Sequence, residues 1–441
     1  MKRLLPLLLC AVLALFCATT AQAAGVSITL TASEYALHYA FDAGAQDPFV
    51  ILEYATPAEK GWMMLYSADG HFEGDVSLAY SGAGGKTSVA LTSARTTGSI
   101  GKASTTLPKA VDYQKPTGKS NAKVMDFVLT ETPEGFHYAF NAAGTDYMLL
   151  YWRSKEQTVT QPVYPDGNGH YEGDVVSELT FARTQFTVQV KSGSGSMKKE
   201  ATVRKGYQAP EAPQRQEGRL SGVTVCIDAG HQENGRFVNE PIGPGLSGST
   251  SGKGGMAQGT KTNRRESIVC LEIGMLLRDE LLRQGANVVM TREDQTTFHT
   301  NIERCEIAEA GGAQIMLRLH CNNSSNRSKR GIQVYGPLNS DYAKAVADAD
   351  TYREMGQKLL DAMKTRVGMT LANSTGMVRL NDNYVGNNWA KMMCFLVEMG
   401  YLSNPAEEYL LVTPVYQQWL AEGMADGVYE IAVARGWVQA Q

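Results

Sequence analysis

The sequence predicts a multidomain chain: two N-terminal all-β modules of immunoglobulin- or fibronectin-like sandwich type, then an α/β domain with a mostly parallel twisted sheet flanked by helices. Three observations carry this. A segment recurs once at an offset of 99 residues. Near residue 220 short broken stretches give way to strand-length apolar runs alternating with helical patterns. The chain has 441 residues, 43% of them hydrophobic, which at roughly 100–200 residues per domain allows two to four domains with real cores and excludes wholesale disorder. Lys+Arg 41 against Asp+Glu 45 gives a net charge of −4. That argues against a nucleic-acid or anionic-membrane binder working through bulk charge.

Residues 1–24 read as a secretory signal. Lys2 and Arg3 form a basic start, Leu4 to Cys17 is an apolar run of 14 residues, and Ala21-Gln22-Ala23 supplies a small-x-small cleavage pattern. Such a run is short of the ~20 residues a spanning helix needs, and the expectation is an exported protein without an integral membrane segment once the signal is removed, acting in the secreted or cell-envelope compartment.

The repeat defines the modules, expected over 25–110 and 123–207. His38-Tyr39-Ala40-Phe41-Asp42-Ala43 returns as His137-Tyr138-Ala139-Phe140-Asn141-Ala142, and Gly70-His71-Phe72-Glu73-Gly74-Asp75-Val76 as Gly169-His170-Tyr171-Glu172-Gly173-Asp174-Val175. One common offset makes this a single duplication. Apolar or alternating stretches at 49–54, 62–66, 87–91, 148–152 and 186–190, separated by Gly, Asp, Asn and Ser clusters, read as short antiparallel strands. Four of the seven His belong to the repeat; without a carboxylate cluster at ligand spacing they read as structural or surface residues. Ser104 to Ala122 is rich in Ser, Thr, Lys and Pro, and a second polar, Pro-containing linker spans 208–218.

In the α/β domain, 219–441, strand-length runs at 223–227, 287–290, 314–319, 332–335 and 392–397 alternate with helical patterns, clearest over Glu266 to Arg283. The five Cys beyond the signal, Cys226, Cys270, Cys305, Cys321 and Cys394, lack C-x-x-C spacing and read as buried apolar filler. Three strands run into chemistry: 223–227 into Asp228-Ala229-Gly230-His231, 314–319 into His320-Cys321-Asn322-Asn323, and 392–397 into Glu398-Met399-Gly400. Carboxyl ends of strands in open α/β sheets form the ligand crevice. Glu266 opens the helix in phase with Val269, Cys270, Ile273, Leu276 and Leu277, and a carboxylate on an apolar stripe is costly unless paired or bound to a cation. His231, Glu266 and His320 together are the ligand set of a catalytic zinc with an open fourth position. Glu398 is left over as an acid/base for attack on an amide.

These residues resemble a known family. Ile227-Asp228-Ala229-Gly230-His231, a Glu opening a long helix, Arg318-Leu319-His320-Cys321-Asn322 and Leu396 to Pro405 are similar, in that order, to the zinc-dependent N-acetylmuramoyl-L-alanine amidases of bacterial cell-wall turnover. Val289 to Asp294, Arg304 with Ile307-Ala308, and Asn239 to Gly245 also fit. The resemblance spans about 219–436. It implies zinc on His231, Glu266 and His320, Glu398 as catalytic acid/base, and peptidoglycan as substrate. Ala229 and Gln232 stand where Pro and Gly are more usual, and Arg318 where many members have Ser, which makes Arg318 a candidate substrate contact, as is the basic stretch Lys261 to Arg265. The 34 residues between His231 and Glu266 read as a long active-site loop.

Two other readings compete. A zinc peptidase acting on the stem peptide lacks the H-x-x-E or H-E-x-x-H spacing of common zinc peptidases. A non-catalytic wall-binding protein would use the modules, which are candidates for binding cell wall or a protein partner.

Overall fold

The computed structural model describes residues 18–22, 26–34, 36–78, 81–96, 98–110, 122–132, 135–143, 145, 147–153, 158–166, 168–176, 184–192, 195–205, 210–232, 238–250, 255–367 and 377–440. The expected signal lies outside them except for Ala18–Gln22, and most of the linker between the modules, 111–121, lies outside them too.

The first module runs β1 (Ala18–Gln22), β2 (Ser27–Ala32), β3 (Ala36–Asp42), β4 (Phe49–Ala55), β5 (Glu59–Tyr66), β6 (His71–Ser77), β7 (Gly85–Ser93) and β8 (Ser99–Leu107). β1-β2-β3-β6 pair as one antiparallel sheet and β5-β4-β7-β8 as part of another. Alternate residues point inward. Ile28, Leu30 and Leu37 from the first sheet meet Val50, Leu52 and Leu91 from the second in one core. Ser104 to Leu107, expected in the linker, belong to β8.

The second module follows as β9 (Lys123–Thr132), β10 (Gly135–Ala143), β11 (Met148–Arg153), β12 (Thr158–Val163), β13 (His170–Val176), β14 (Thr184–Lys191) and β15 (Met197–Lys205). β10 to β14 each begin 99 residues after β3 to β7, so the duplication is one of structure. Phe136, Trp152 and Phe186 fill its core, and Phe140 stacks on Tyr171 with centroids 4.6 Å apart. The modules also join. Thr158 pairs with Lys60 and Val159 with Glu59, so β12 continues the sheet beyond β5 and makes it eight-stranded, β15-β14-β11-β12-β5-β4-β7-β8.

The α/β domain comprises β16 (Thr224–Ala229), α1 (Glu266–Arg283), β17 (Asn287–Met290), α2 (Asn301–Ala310), β18 (Ile315–Asn322), β19 (Gln333–Gly336), α3 (Asp341–Val346), α4 (Ala349–Val367), β20 (Met377–Leu380), α5 (Val385–Trp389), β21 (Met393–Tyr401), α6 (Glu407–Leu410) and α7 (Pro414–Ala434). The sheet order is β17-β16-β18-β21-β19-β20. β17, β16, β18 and β21 are parallel, and β19 runs antiparallel to β21. Val225, Ile227, Leu317 and Leu319 face the main core with α1, α4 and α7. Cys226, Met316 and Cys394 face the other side, against Cys305 and Ala308 of α2. All five Cys are buried and unpaired, as expected of filler. α1 is buried on nearly every side because α7 covers the face turned away from the sheet: Gln417 of α7 donates to Glu272 at 2.9 Å.

Candidate metal centre

β16 delivers its chain through Gly230 into His231, which has a φ of 55°, a left-handed conformation uncommon for a non-glycine residue. Two buried guanidiniums hold the turn by its carbonyls. Arg292 donates from Nε to Ala229 O at 2.8 Å and from Nη2 to Gly230 O at 2.9 Å. Arg304 donates to Ala229 O at 2.9 Å and to His231 O at 3.2 Å. Gly230 is obligatory for space, since a Cβ there would lie 2.4 Å from Leu319 O and 2.6 Å from His320 Cε1.

Below the turn, Asp228 is completely buried. It pairs with Arg304, accepts from Arg318 Nε at 2.9 Å and from Thr291 Oγ1 at 2.8 Å. Burial opposes its ionisation, but Arg304 and Arg318 outweigh burial and hold the carboxyl well below the usual carboxylate range.

Glu266, the first residue of α1, sits between the two imidazoles. Its Oε1 lies 3.0 Å from His320 Nδ1 and accepts from Cys321 N at 3.0 Å. Its Oε2 lies 3.1 Å from His231 Nε2 and accepts from Ala257 N at 2.7 Å. Burial disfavours the charge, yet the hydrogen bonds with His231 and His320 hold the carboxyl well below its ordinary value. The His rings lie 4.9 Å apart at 77°, and one ligand atom from each of His231, Glu266 and His320 falls within 4.8 Å of the others. Among the described residues this is the group of His, Cys, Asp and Glu so placed. His320 Nε2 is buried without a hydrogen-bond partner, a costly state unless another group uses the lone pair. Burial lowers the His320 pKa, which favours the neutral ring that a metal requires.

Glu398 stands beside His320 in the sheet as its register partner, with Gln333 on its other side. Both His320 and Glu398 therefore sit inside strands, where the sequence expected strands to stop just before them. Glu398 Oε2 is buried without a partner. Burial, with the Glu266 carboxylate adding to it, pushes the Glu398 carboxyl up to about 8. All four groups line one cavity of about 880 Å³, with Glu240, Phe298, Asn301, Asn323 and Tyr384 among its other walls.

Arg318 also borders this cavity, but its guanidinium is engaged from below, by Asp228 and by Asn301 Oδ1 at 2.6 Å. Arg264 of the basic stretch is likewise taken, paired with Glu272 at 2.7 Å. Part of the long loop, 233–237 and 251–254, lies outside the described residues. The remainder is tied down: Pro241 bridges to Ser249 and Gln258 to Arg265. Glu240 in this loop accepts from Asn301 N at 3.2 Å, Asn301 Nδ2 at 2.7 Å and Ile302 N at 2.8 Å, closing the N-terminus of α2. In the sequence Glu240, Arg292 and Arg304 stand out only as members of motifs; their partners come from other elements, which no local spacing reveals.

The repeat histidines have carboxylate neighbours. Strand pairing places carboxylates across from them: His38 Nδ1 lies 3.1 Å from Asp75 and His71 Nδ1 2.7 Å from Asp42, and His137 lies 2.9 Å from Asp174 in the second module. They remain at the surface, as the sequence reading had them, but with carboxylate partners it did not foresee.

Residues 225–430 match the model of the N-acetylmuramoyl-L-alanine amidase family. This part of the chain belongs to that family. The germination-specific N-acetylmuramoyl-L-alanine amidase of Bacillus subtilis (strain 168) is 26% identical over 231 residues, 49% of this chain and 83% of that protein. The probable cell wall amidase LytH of Staphylococcus aureus is 27% identical over 218 residues, 48% of this chain and 60% of that protein. Among solved structures, an N-acetylmuramoyl-L-alanine amidase from Clostridium difficile 630 is 24% identical with a TM-score of 0.38, covering 48% of this chain and 96% of that one. One from Mycobacterium smegmatis is 18% identical with a TM-score of 0.43, covering 49% and 100%. The residues matched by the family model lie within the α/β domain.

Proposed function

We propose that the chain is an exported zinc hydrolase that cleaves the amide bond between N-acetylmuramic acid and L-alanine in peptidoglycan. The observation that carries this is the juxtaposition, inside an amidase domain, of His231, Glu266 and His320 with the unpartnered, protonatable carboxyl of Glu398. Two imidazoles and a carboxylate suit zinc with an open position. The orphaned Nε2 of His320 fits such a ligand role. Zinc, when bound, polarises a carbonyl and lowers the pKa of water toward ~7.

The chain's own residues supply the rest. Glu398 Oε2 takes the proton of the attacking water and returns it to the leaving nitrogen, a task suited to a buried carboxyl whose proton affinity is raised above the ordinary value. Asp228, Arg292 and Arg304 fix the backbone that presents His231. Glu266 fixes the orientation of both rings. The basic start, apolar run and Ala21-Gln22-Ala23 support export, and among the described residues no helix is long and apolar enough to cross a membrane. The strand order of the modules, with the first, second and fifth strands of the repeat in one sheet and the others in the second, supports the immunoglobulin- or fibronectin-type reading.

Glu398→Gln should retain stoichiometric zinc and lose hydrolysis by about 10²–10⁴-fold. Mass analysis of digested cell wall reads the reaction: intact stem peptides with a free L-alanine amino end support the amidase, and shortened stems support a peptidase. Near-normal turnover in the variant would sink the role given to Glu398.

A further inference from the structure

The first β module, although the second separates it from the amidase domain in sequence, is built onto that domain. Phe49 and Ala94 are buried in the main core of the amidase domain. Phe49 meets Tyr416 and Trp419 of α7 edge-on, with centroids 6.0 and 5.3 Å apart, and Tyr66 meets Trp419 at 5.1 Å. Trp62 packs on Tyr409 of α6 at 4.7 Å, and Tyr409 Oη donates to Glu53 at 3.2 Å. At the offset of 99, the second module carries Met148, Gln161 and Pro165 where the first has Phe49, Trp62 and Tyr66. The duplicated fold is the same, but the docking aromatics occur in one copy.

One contact reaches toward the cavity. Arg330 donates from Nη2 to Ala94 O at 3.1 Å and from Nη1 to Arg95 O. It lies near the end of the segment that follows β18; Asn322, the last residue of β18, and Asn323, the first of that segment, line the cavity. The next residue, Gly331, donates its N–H to Glu407 Oε1 at 2.7 Å, and Glu407 Oε2 accepts from Tyr401 N at 2.7 Å, three residues beyond Glu398. Ser324 N donates to Ser403 Oγ at 2.9 Å, and Asn404 Nδ2 to Arg327 O at 3.0 Å. The ends of the strands bearing His320 and Glu398 are thus laced together through 323–332 and 400–407, and this lacing is anchored on the first module.

We infer that the first module is a fixed brace of the metal centre, with Arg330 as the positioning residue that transmits its hold to the strand ends carrying His320 and Glu398. The inference rests on the reading of those two as site residues, and its test does not need hydrolysis. In the full chain, amide hydrogen exchange and zinc affinity by chelator competition are measured for Arg330→Ala, Arg330→Lys and Phe49→Ala, each with native circular dichroism. Arg330→Ala and Phe49→Ala should speed exchange at Ser324, Gly331 and Tyr401 by about tenfold and weaken zinc binding by about 10-fold, with Arg330→Lys restoring much of both and the amides of β17 unchanged. Exchange at 323–332 and zinc affinity that stay at wild-type values while the module's own amides loosen would overturn the brace. An inactive wild-type chain would overturn the amidase reading and leave this result standing.

Discussion

Asp228 lies fully buried between Arg304 and Arg318, with Arg292 close by. A lone buried carboxylate flanked by guanidiniums is replaceable only at the cost of leaving cations unpaired, which typically destabilises by about 3–5 kcal/mol. Asp228→Asn should therefore lower stability at pH 7 by about that amount in chemical denaturation. The sign with pH follows from a folded-state pKa below the unfolded one. Its stabilisation is present above the unfolded carboxylate value of roughly 4 and is lost as pH falls below it. The wild-type stability curve should drop in acid more steeply than that of the variant. Parallel acid limbs would show that Asp228 is not the titrating anchor. None of this was visible as spacing. The sequence shows Asp228 three residues before His231, but Arg304 and Arg318 come from other elements 76 and 90 residues away.

Elements were legible where local rules suffice. α1 occupies Glu266–Arg283 and β17 Asn287–Met290, both on the expected bounds, because the apolar stripe, the acidic first turn and the following apolar run are local signals. β18 and β21 run past His320 and Glu398, because pairing across the sheet keeps polar residues extended when each neighbour supplies backbone partners. α2 shows how an element's end builds the site. Thr300 and Glu303 form a capping box, with Thr300 Oγ1 accepting from Glu303 N at 3.2 Å and Glu303 accepting from Thr300 N at 2.7 Å. This first turn presents Asn301 to Arg318 and to Glu240. Thr300→Ala should cost about 1 kcal/mol in urea denaturation. Because Asn301 then loses its fixed place, weaker binding of a substrate analogue should accompany the loss. A stability change below about 0.3 kcal/mol would mean that Glu240 alone secures the turn.

At the scale of the molecule, the two module-to-neighbour junctions differ in kind, and this governs how the chain unfolds. Among the described residues the second module meets the first along a short strand edge, Thr158 pairing with Lys60 and Val159 with Glu59, with Thr160 N donating to Ala58 O at 2.8 Å. The first meets the amidase domain through buried Phe49 and Ala94 and a group of packed aromatics. A large apolar junction makes neighbouring units unfold together, whereas a short strand edge leaves them independent. Calorimetry of the full chain should thus show two transitions, one for the second module and one shared by the first module and the amidase domain. On the proposed reading zinc binds only the folded centre, so removing it with EDTA should lower the shared transition alone. With free zinc at 100 times Kd the lost stabilisation is about 2.7 kcal/mol, a shift on the order of 5 °C for a unit of this size. A first module that melts at its own temperature, indifferent to EDTA, would show the junction to be a contact without cooperativity. The histidine surfaces common to both modules would then be the more informative place to seek their role.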